Sequence, residues 1–261
     1  MSTTDTSVLY TSASGRTITI DLKNDELLDH FASRTVRKEY LLPNETSAQE
    51  AFARACCAFA DNDAHAQRLY NYITKQWFGF ASPLLSNGGT EKGLPISCFL
   101  NEVGDSVPKL AQHHMESSML SVLGGGIGGY WGHIRSMGMP TSRGGETSGL
   151  IPFLKWTEGM ILAFKQGRHR RGAYAAYLDI SHPEIEAFIA LRKPAGGDPN
   201  LKALQLHHAV NIPDAFMEAV RDGAEWPLID PHTKIVTKKV SAKALFRQIL
   251  ELRLETSSSL R

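Results

Sequence analysis

Leu94-Pro95-Ile96-Ser97-Cys98-Phe99-Leu100, followed downstream by Gly124-Gly125-Gly126-Ile127-Gly128-Gly129, is the stretch on which the fold turns. Apolar residues on both sides of Cys98 predict a buried strand, and the glycine run leads into a second one. From there strands and helices alternate. Residues 97–102 read as a strand. Residues 105–123 read as a helix, capped by Asp105 or Ser106 and stopped at Gly124. Further strands are predicted at 127–133, 173–179, 207–212 and 226–229. Helices are predicted at 150–165, entered through Pro152, at 182–192 with Pro183 in the first turn, at 213–221 and at 241–255. The alternation predicts an α/β fold with about five parallel strands and crossover helices. Five such strands make an open sheet or half of a larger barrel.

Upstream the pattern is helical. Residues 1–20 are rich in Ser and Thr and read as a flexible lead-in. Leu27, Leu28, Phe31 and Val36 predict a helix over 25–40. Thr46-Ser47-Ala48-Gln49 reads as a capping box opening a long helical stretch to about residue 76, with a break at Asp61-Asn62-Asp63. The expected organisation is a helical N-terminal domain over 21–92, then the α/β unit over 93–261. The last helix, residues 244–254, carries an apolar stripe that expects a surface to bury it. Little chain follows, so the fold is expected to continue in another molecule.

Composition narrows the function. In 261 residues, 42% are apolar, 21% are charged, and the formal net charge is +1. Such a balance supplies no global field toward nucleic acid or a membrane surface. No apolar run is long enough to span a bilayer, and the N-terminus lacks the charged and apolar regions of a signal peptide. Three cysteines form no disulfide framework, so a reduced, cytoplasmic setting is expected. Cys56 and Cys57, adjacent in a helical segment, read as small buried apolar residues.

Several segments carry chemistry. The glycine run permits close approach of backbone to a ligand, or simply a tight turn between helix and strand. It follows a helix and lacks a Lys-Ser/Thr ending, so neither nucleotide-binding fingerprint applies. Gln166-Gly167-Arg168-His169-Arg170-Arg171-Gly172 is either a solvated turn or a loop that meets phosphate or bases. Asp105 and Ser106 serve as helix cap or ribose contact. Arg135 pairs with a phosphate or with a neighbouring acid. His113-His114 and His207-His208 are adjacent pairs, poorly placed to share a metal, and no metal-ligand spacing occurs.

Taken together, segments 81–90, 97–100, 125–128, 134–135, 149–153 and 166–173 resemble the large (α) subunit of ribonucleotide reductase, in that family's order and spacing over roughly residues 25–256. The resemblance implies a helical N-terminal domain followed by the first half of a ten-stranded α/β barrel. Cys98 then corresponds to one of two cysteines that reduce the ribose 2′ position and become a disulfide in each turnover. Ser82, Ser97, Gly126 and Arg170 correspond to substrate-binding positions, with Arg171 the alternative to Arg170. Asp105, Ser106, Arg135 and Gln166 correspond to a specificity-effector site for a dNTP or ATP at a dimer interface. Residues 139–149 and 166–172 resemble the two effector loops. No metal is expected in this chain. The resemblance implies a radical supplied by a metal-containing β subunit or by adenosylcobalamin, an α homodimer, and thioredoxin or glutaredoxin as reductant.

The departures are as informative. The family's radical-bearing cysteine, second redox cysteine, phosphate loop, radical-transfer tyrosines and C-terminal shuttle cysteines have no counterpart before residue 261. An N-terminal ATP-binding cone also has no counterpart. The expectation is an N-terminal part of a reductase α subunit that reduces ribonucleotides, as diphosphates, only with a complementary C-terminal half. The alternative is a non-catalytic remnant or dNTP-binding regulatory module.

Overall fold

The computed structural model describes residues 6–123, 125–142, 144–164 and 173–257. The chain divides into two compact units, Met1–Ser97 and Cys98–Arg261, each with its own hydrophobic core.

The first unit begins with an antiparallel hairpin of β1 (Ser7–Thr11) and β2 (Thr17–Asp21). This corrects the expectation of a flexible lead-in over 1–20 for residues 7–20, while residues 1–5 lie outside the described residues. The Ser/Thr-rich composition hides an alternation, Thr17-Ile18-Thr19-Ile20, that puts both isoleucines on one face, each 2% exposed. Gln67 seals the other side of β2, accepting from Thr19 N at 2.8 Å and donating to Thr19 O at 2.9 Å. The helix expected over 25–40 is two elements, a 3-10 turn at Leu22–Leu27 and α1 at His30–Glu39. Between them Asp29 adopts extended backbone and accepts from Ala32 N at 2.7 Å, which starts a new helix.

Helix α2 (Ala48–Phe59) has its capping box one residue later than predicted, between Ser47 and Glu50. Gln49 is unavailable because it turns inward, accepting from Tyr70 Oη at 3.0 Å and Thr74 Oγ1 at 2.7 Å. Glu50 instead accepts from Thr46 N and Ser47 N. Cys56 and Cys57 are fully buried on this helix, and burial pushes the Cys56 thiol up to about 12. Asn62 caps α3 (Asp63–Ile73), and α4 (Ser82–Asn87) completes the unit. At its centre Arg54 makes five hydrogen bonds: to both carboxylate oxygens of Glu45 and to the carbonyls of Tyr40, Leu85 and Gly88. Gly89, at φ +71°, lies so close that an added Cβ would meet Arg54 Cγ at 2.8 Å.

The second unit is built on a parallel sheet ordered β3-β4-β5-β6: Cys98–Glu102, Gly126–Tyr130, Tyr174–Asp179 and His207–Asn211. The connections run through α5 (Val107–Val122), α6 (Ile151–Ala163) and α7 (Ile185–Ala190). One sheet face packs into the core through Ile127, Tyr174, Ala176 and Leu178. The fifth predicted strand does not join this sheet. As β7 (Glu225–Ile229), which follows α8 (Asp214–Asp222), it pairs antiparallel with β8 (Val236–Ser241) across a short turn. Asp230 shapes that turn by accepting from His232 N and Thr233 N. So short a connection permits only a hairpin, since parallel pairing needs a longer crossover.

Helix α9 (Ala242–Ser257) meets its expectation only in part. Ala242, Leu245 and Leu252 are buried in the same core as Phe216 and Leu228, so this chain itself supplies a surface for part of the apolar stripe, while Leu250 and Leu254 stay exposed.

Candidate functional site

Cys98 opens β3 and pairs in register with Gly126 on β4. It is exposed, which corrects the expectation of a buried strand. The reason lies in the sheet order: among the described residues β3 is an edge strand, and helices pack on one face of the sheet. Alternation puts Cys98, Leu100 and Glu102 on the uncovered face, where Leu100 is 78% exposed. Their neighbours Gly126 and Gly128 leave that face low. A Cβ on Gly128 would meet Leu100 Cδ2 at 2.4 Å. Gly129 serves the opposite face, where a Cβ would collide with the Tyr174 hydroxyl. The glycine run is therefore a close-packing device, with Cys98 at its open side.

The other positions expected to contact a substrate are distributed. Ser82 lies in the first turn of α4 and accepts from Tyr40 Oη at 3.0 Å. Ser82 and Ser97 belong to the first unit, Cys98 and Gly126 to the second. Arg170 and Gln166, with the rest of 165–172, lie outside the described residues.

At the far end of the open face stands a polar cluster that sequence reasoning did not single out. Tyr130 Oη donates to Asp179 Oδ2 at 2.5 Å, and Asn211 Nδ2 donates to Asp179 Oδ1 at 2.9 Å. His133 and Glu102 meet at 2.7 Å. Burial and the Asp179 carboxylate raise the Tyr130 phenol above its ordinary value. The available signal was position, since Asp179 and Asn211 are strand-terminal residues of a parallel sheet, where ligand groups gather.

A second constellation forms where α5 begins. Ser106, rather than Asp105, caps the helix, accepting from Lys109 N at 3.4 Å. Asp105 is thereby free to pair with Arg135, Oδ2 to Nε, at 2.7 Å. Arg135 Nη1 also donates to Pro140 O at 2.7 Å. Residues 138–142 and 144–149 form the two arms of a small hairpin around a Pro140–Glu146 bridge, with Gly138 N donating to Thr147 O and Thr147 N donating to Met139 O, each at 2.9 Å. Asp230 holds its start, accepting from Ser136 N and Oγ. Burial raises the Asp230 carboxyl, but the donors on Thr233 and Ser136 outweigh it and hold it near about 2.

The paired histidines take structural partners. His113 Nε2 meets Tyr174 Oη at 2.8 Å, and His114 Nε2 meets Thr157 Oγ1 at 3.0 Å. Among the described residues, no group of three or more His, Cys, Asp or Glu is placed to hold a metal. No helix among them is long and apolar enough to cross a membrane.

Two adjacent family models match this chain: ribonucleotide reductase, all-alpha domain, over residues 26–93, and ribonucleotide reductase, barrel domain, over residues 96–259. A ribonucleoside-diphosphate reductase large subunit of Invertebrate iridescent virus 6 is 41% identical over 246 residues, 92% of this chain and 25% of the relative. A putative large subunit of Frog virus 3 (isolate Goorha) is 46% identical over 191 residues, 73% of this chain and 32% of the relative. The alpha subunit of Treponema pallidum (strain Nichols) is 30% identical over 249 residues, 90% of this chain and 29% of the relative. The chain thus spans about a quarter to a third of the length of these relatives.

Proposed function

This chain belongs to the ribonucleotide reductase large-subunit family, and on that premise we propose that it supplies the helical domain and first barrel half of a ribonucleoside-diphosphate reductase, acting in a reduced, cytoplasmic setting. In this reading it works only with a complementary polypeptide that carries the rest of the barrel.

The observation that supports this is the uncovered face of a parallel sheet. Parallel sheets are normally covered on both faces, because their crossovers place helices on each side. In this chain one face carries the core, while the other exposes Cys98 and Leu100. Among the described strands β6 is likewise paired on one edge alone. Along it runs a groove of about 540 Å³, whose walls include Val210, Ile212, Ile249 and Leu252. Such a face and edge suit the remaining strands of a barrel.

The proposed chemistry uses Cys98 as one of two reducing thiols. Cys98 Sγ and a thiol from the complementary half each give up a hydrogen and form an S–S bond. The ribose 2′-hydroxyl leaves as water, and hydrogen takes its place. A thioredoxin or glutaredoxin then restores the dithiol. A metal-containing β subunit, or adenosylcobalamin, supplies the radical that makes the sugar reactive. Ser82, Ser97, Gly126 and Arg170 are assigned to substrate, and Asp105, Ser106, Arg135 and Gln166 to a dNTP or ATP effector. Exposed apolar side chains at Met115 and Met119 on α5, and Trp156 on α6, suit an α homodimer contact.

The test is reconstitution. Mixed with a polypeptide carrying the complementary half and a radical source, the chain is expected to convert ribonucleoside diphosphates to deoxyribonucleotides, and Cys98→Ser to reduce turnover to background. Turnover by this chain alone, or undiminished turnover by the Cys98→Ser mixture with its dithiol reductant, sinks the reading. Equilibrium binding of dATP to the chain alone tests the effector assignment separately.

A further inference from the structure

One buried carboxylate closes the segment 138–149 at both ends. Glu184 Oε2 accepts from Met137 N at 3.2 Å and from Leu150 N at 2.9 Å. The residue is 8% exposed. It is itself held by His182, whose Nδ1 accepts from Glu184 N at 3.1 Å and whose Nε2 meets Ile134 O at 2.8 Å. Gly149 takes φ +77°, and a Cβ there would lie 2.6 Å from both carboxylate oxygens. Only glycine lets the chain pass this close to Glu184.

The arrangement is unfavourable as mere packing. The second oxygen, Glu184 Oε1, is buried and makes no hydrogen bond among the described residues, and a buried charge with an unused acceptor destabilises relative to an apolar residue. What the carboxylate achieves is geometric. It draws the two ends of the hairpin to one atom, and the hairpin presents Pro140 O to Arg135 Nη1. Arg135, also paired through Nε to Asp105, has no acceptor at Nη2 among the described residues. That leaves one edge of the guanidinium available to an anion.

We propose that Glu184 is a positioning residue for the nucleotide-effector site, closing the 138–149 hairpin so that Arg135 is held ready for a nucleotide phosphate. This rests on the assignment of Asp105 and Arg135 to an effector. Glu184 touches no nucleotide in this scheme and acts through the hairpin.

The test uses the full chain, with dATP as the probe in equilibrium binding and amide hydrogen exchange at Met137 and Leu150. Glu184→Ala is expected to weaken dATP binding about tenfold and to release both amides to exchange. Glu184→Gln keeps an acceptor oxygen in the same place, and is expected to retain affinity within about threefold and to keep the amides protected. Gly149→Ala, which pushes a methyl against the carboxylate, should resemble Glu184→Ala, and it decides the matter if Glu184→Ala does not fold. Wild-type affinity in a folded Glu184→Ala protein overturns the proposal, as does a Glu184→Gln protein as weak as the alanine variant. If the wild-type chain binds no dATP, the effector assignment falls. The positioning role is then judged on exchange alone, and unchanged protection in Glu184→Ala ends it.

Discussion

The two units of this chain treat their polar groups in opposite ways. The first closes around its own charge: Arg54 donates five hydrogen bonds, all to partners within that unit. The second leaves one face of its sheet open and puts Cys98 there, with a hydrogen-bonded cluster of Tyr130, Asp179 and Asn211 at the other end. A buried charge satisfied on every donor is a structural element. An exposed thiol on a parallel sheet, with glycines beside it, is held at the surface rather than in the core. The difference separates side chains that the fold satisfies internally from side chains that it keeps at the surface.

The largest effect that tests this contrast is removal of the first unit's centre. Arg54→Ala leaves Glu45 buried and unpaired and frees three carbonyls, so a loss of about 3–5 kcal/mol is expected in urea unfolding. Arg54→Lys should recover little, because an ammonium cannot reproduce the planar five-donor fork. An Arg54→Ala protein that loses less than about 1 kcal/mol would show that this unit does not depend on its charged centre.

The next effect compares the two faces of one sheet. Leu178 is fully buried on the helix-covered face, so Leu178→Ala is expected to cost about 2–5 kcal/mol. Leu100, on the open face, is already in water, and Leu100→Ala should change the stability of this chain by less than about 0.5 kcal/mol. Adding the complementary half sharpens the contrast, because Leu100→Ala should then weaken association. Equal costs for the two substitutions in the chain by itself would mean that the open face is not open.

These contrasts explain which features the sequence made legible. The parallel strands and their crossovers were readable because alternation of strands and helices is a local pattern, and the strand that Cys98 opens was readable from its flanking residues. The hairpin at residues 7–21 was missed because composition was weighed over the period-2 spacing of Ile18 and Ile20. The burial of Cys98 was misjudged because apolar neighbours in sequence do not reveal which strand will be the sheet edge. Asp105 and Ser106 each kept two readings until the structure placed Arg135 beside Asp105, which left the cap to Ser106. Arg54 and Glu184 gave no signal, since each acts through partners distant in sequence, and Asp179 gave only its place at a strand end.

The smallest effect concerns acid. Buried imidazoles are concentrated in the second unit. Burial, the larger cause, lowers His113 and His208 to about 4, with the adjacent His114 adding to the first and Arg192 to the second, and burial also lowers His114, His182 and His207. A histidine kept neutral in the fold resists the proton that the unfolded chain accepts near pH 6.5. Its stabilising contribution is therefore complete above about 6.5 and is lost as pH falls toward about 4. Glu184 opposes this, since burial raises its carboxyl and protonation then favours the fold. In the first unit the shifted acid is Glu50, which burial raises but the donors on Thr46 and Ser47 hold below its usual value. Its contribution is lost only below that range. The unfolding midpoint of the second unit should therefore fall between pH 7 and 4.5 while that of the first stays nearly constant. A Trp77→Phe variant isolates the signal, because the remaining tryptophans, Trp131, Trp156 and Trp226, all lie in the second unit. Parallel shifts in both units would erase the distinction between a unit that is closed on itself and one that keeps neutral histidines beneath an open sheet.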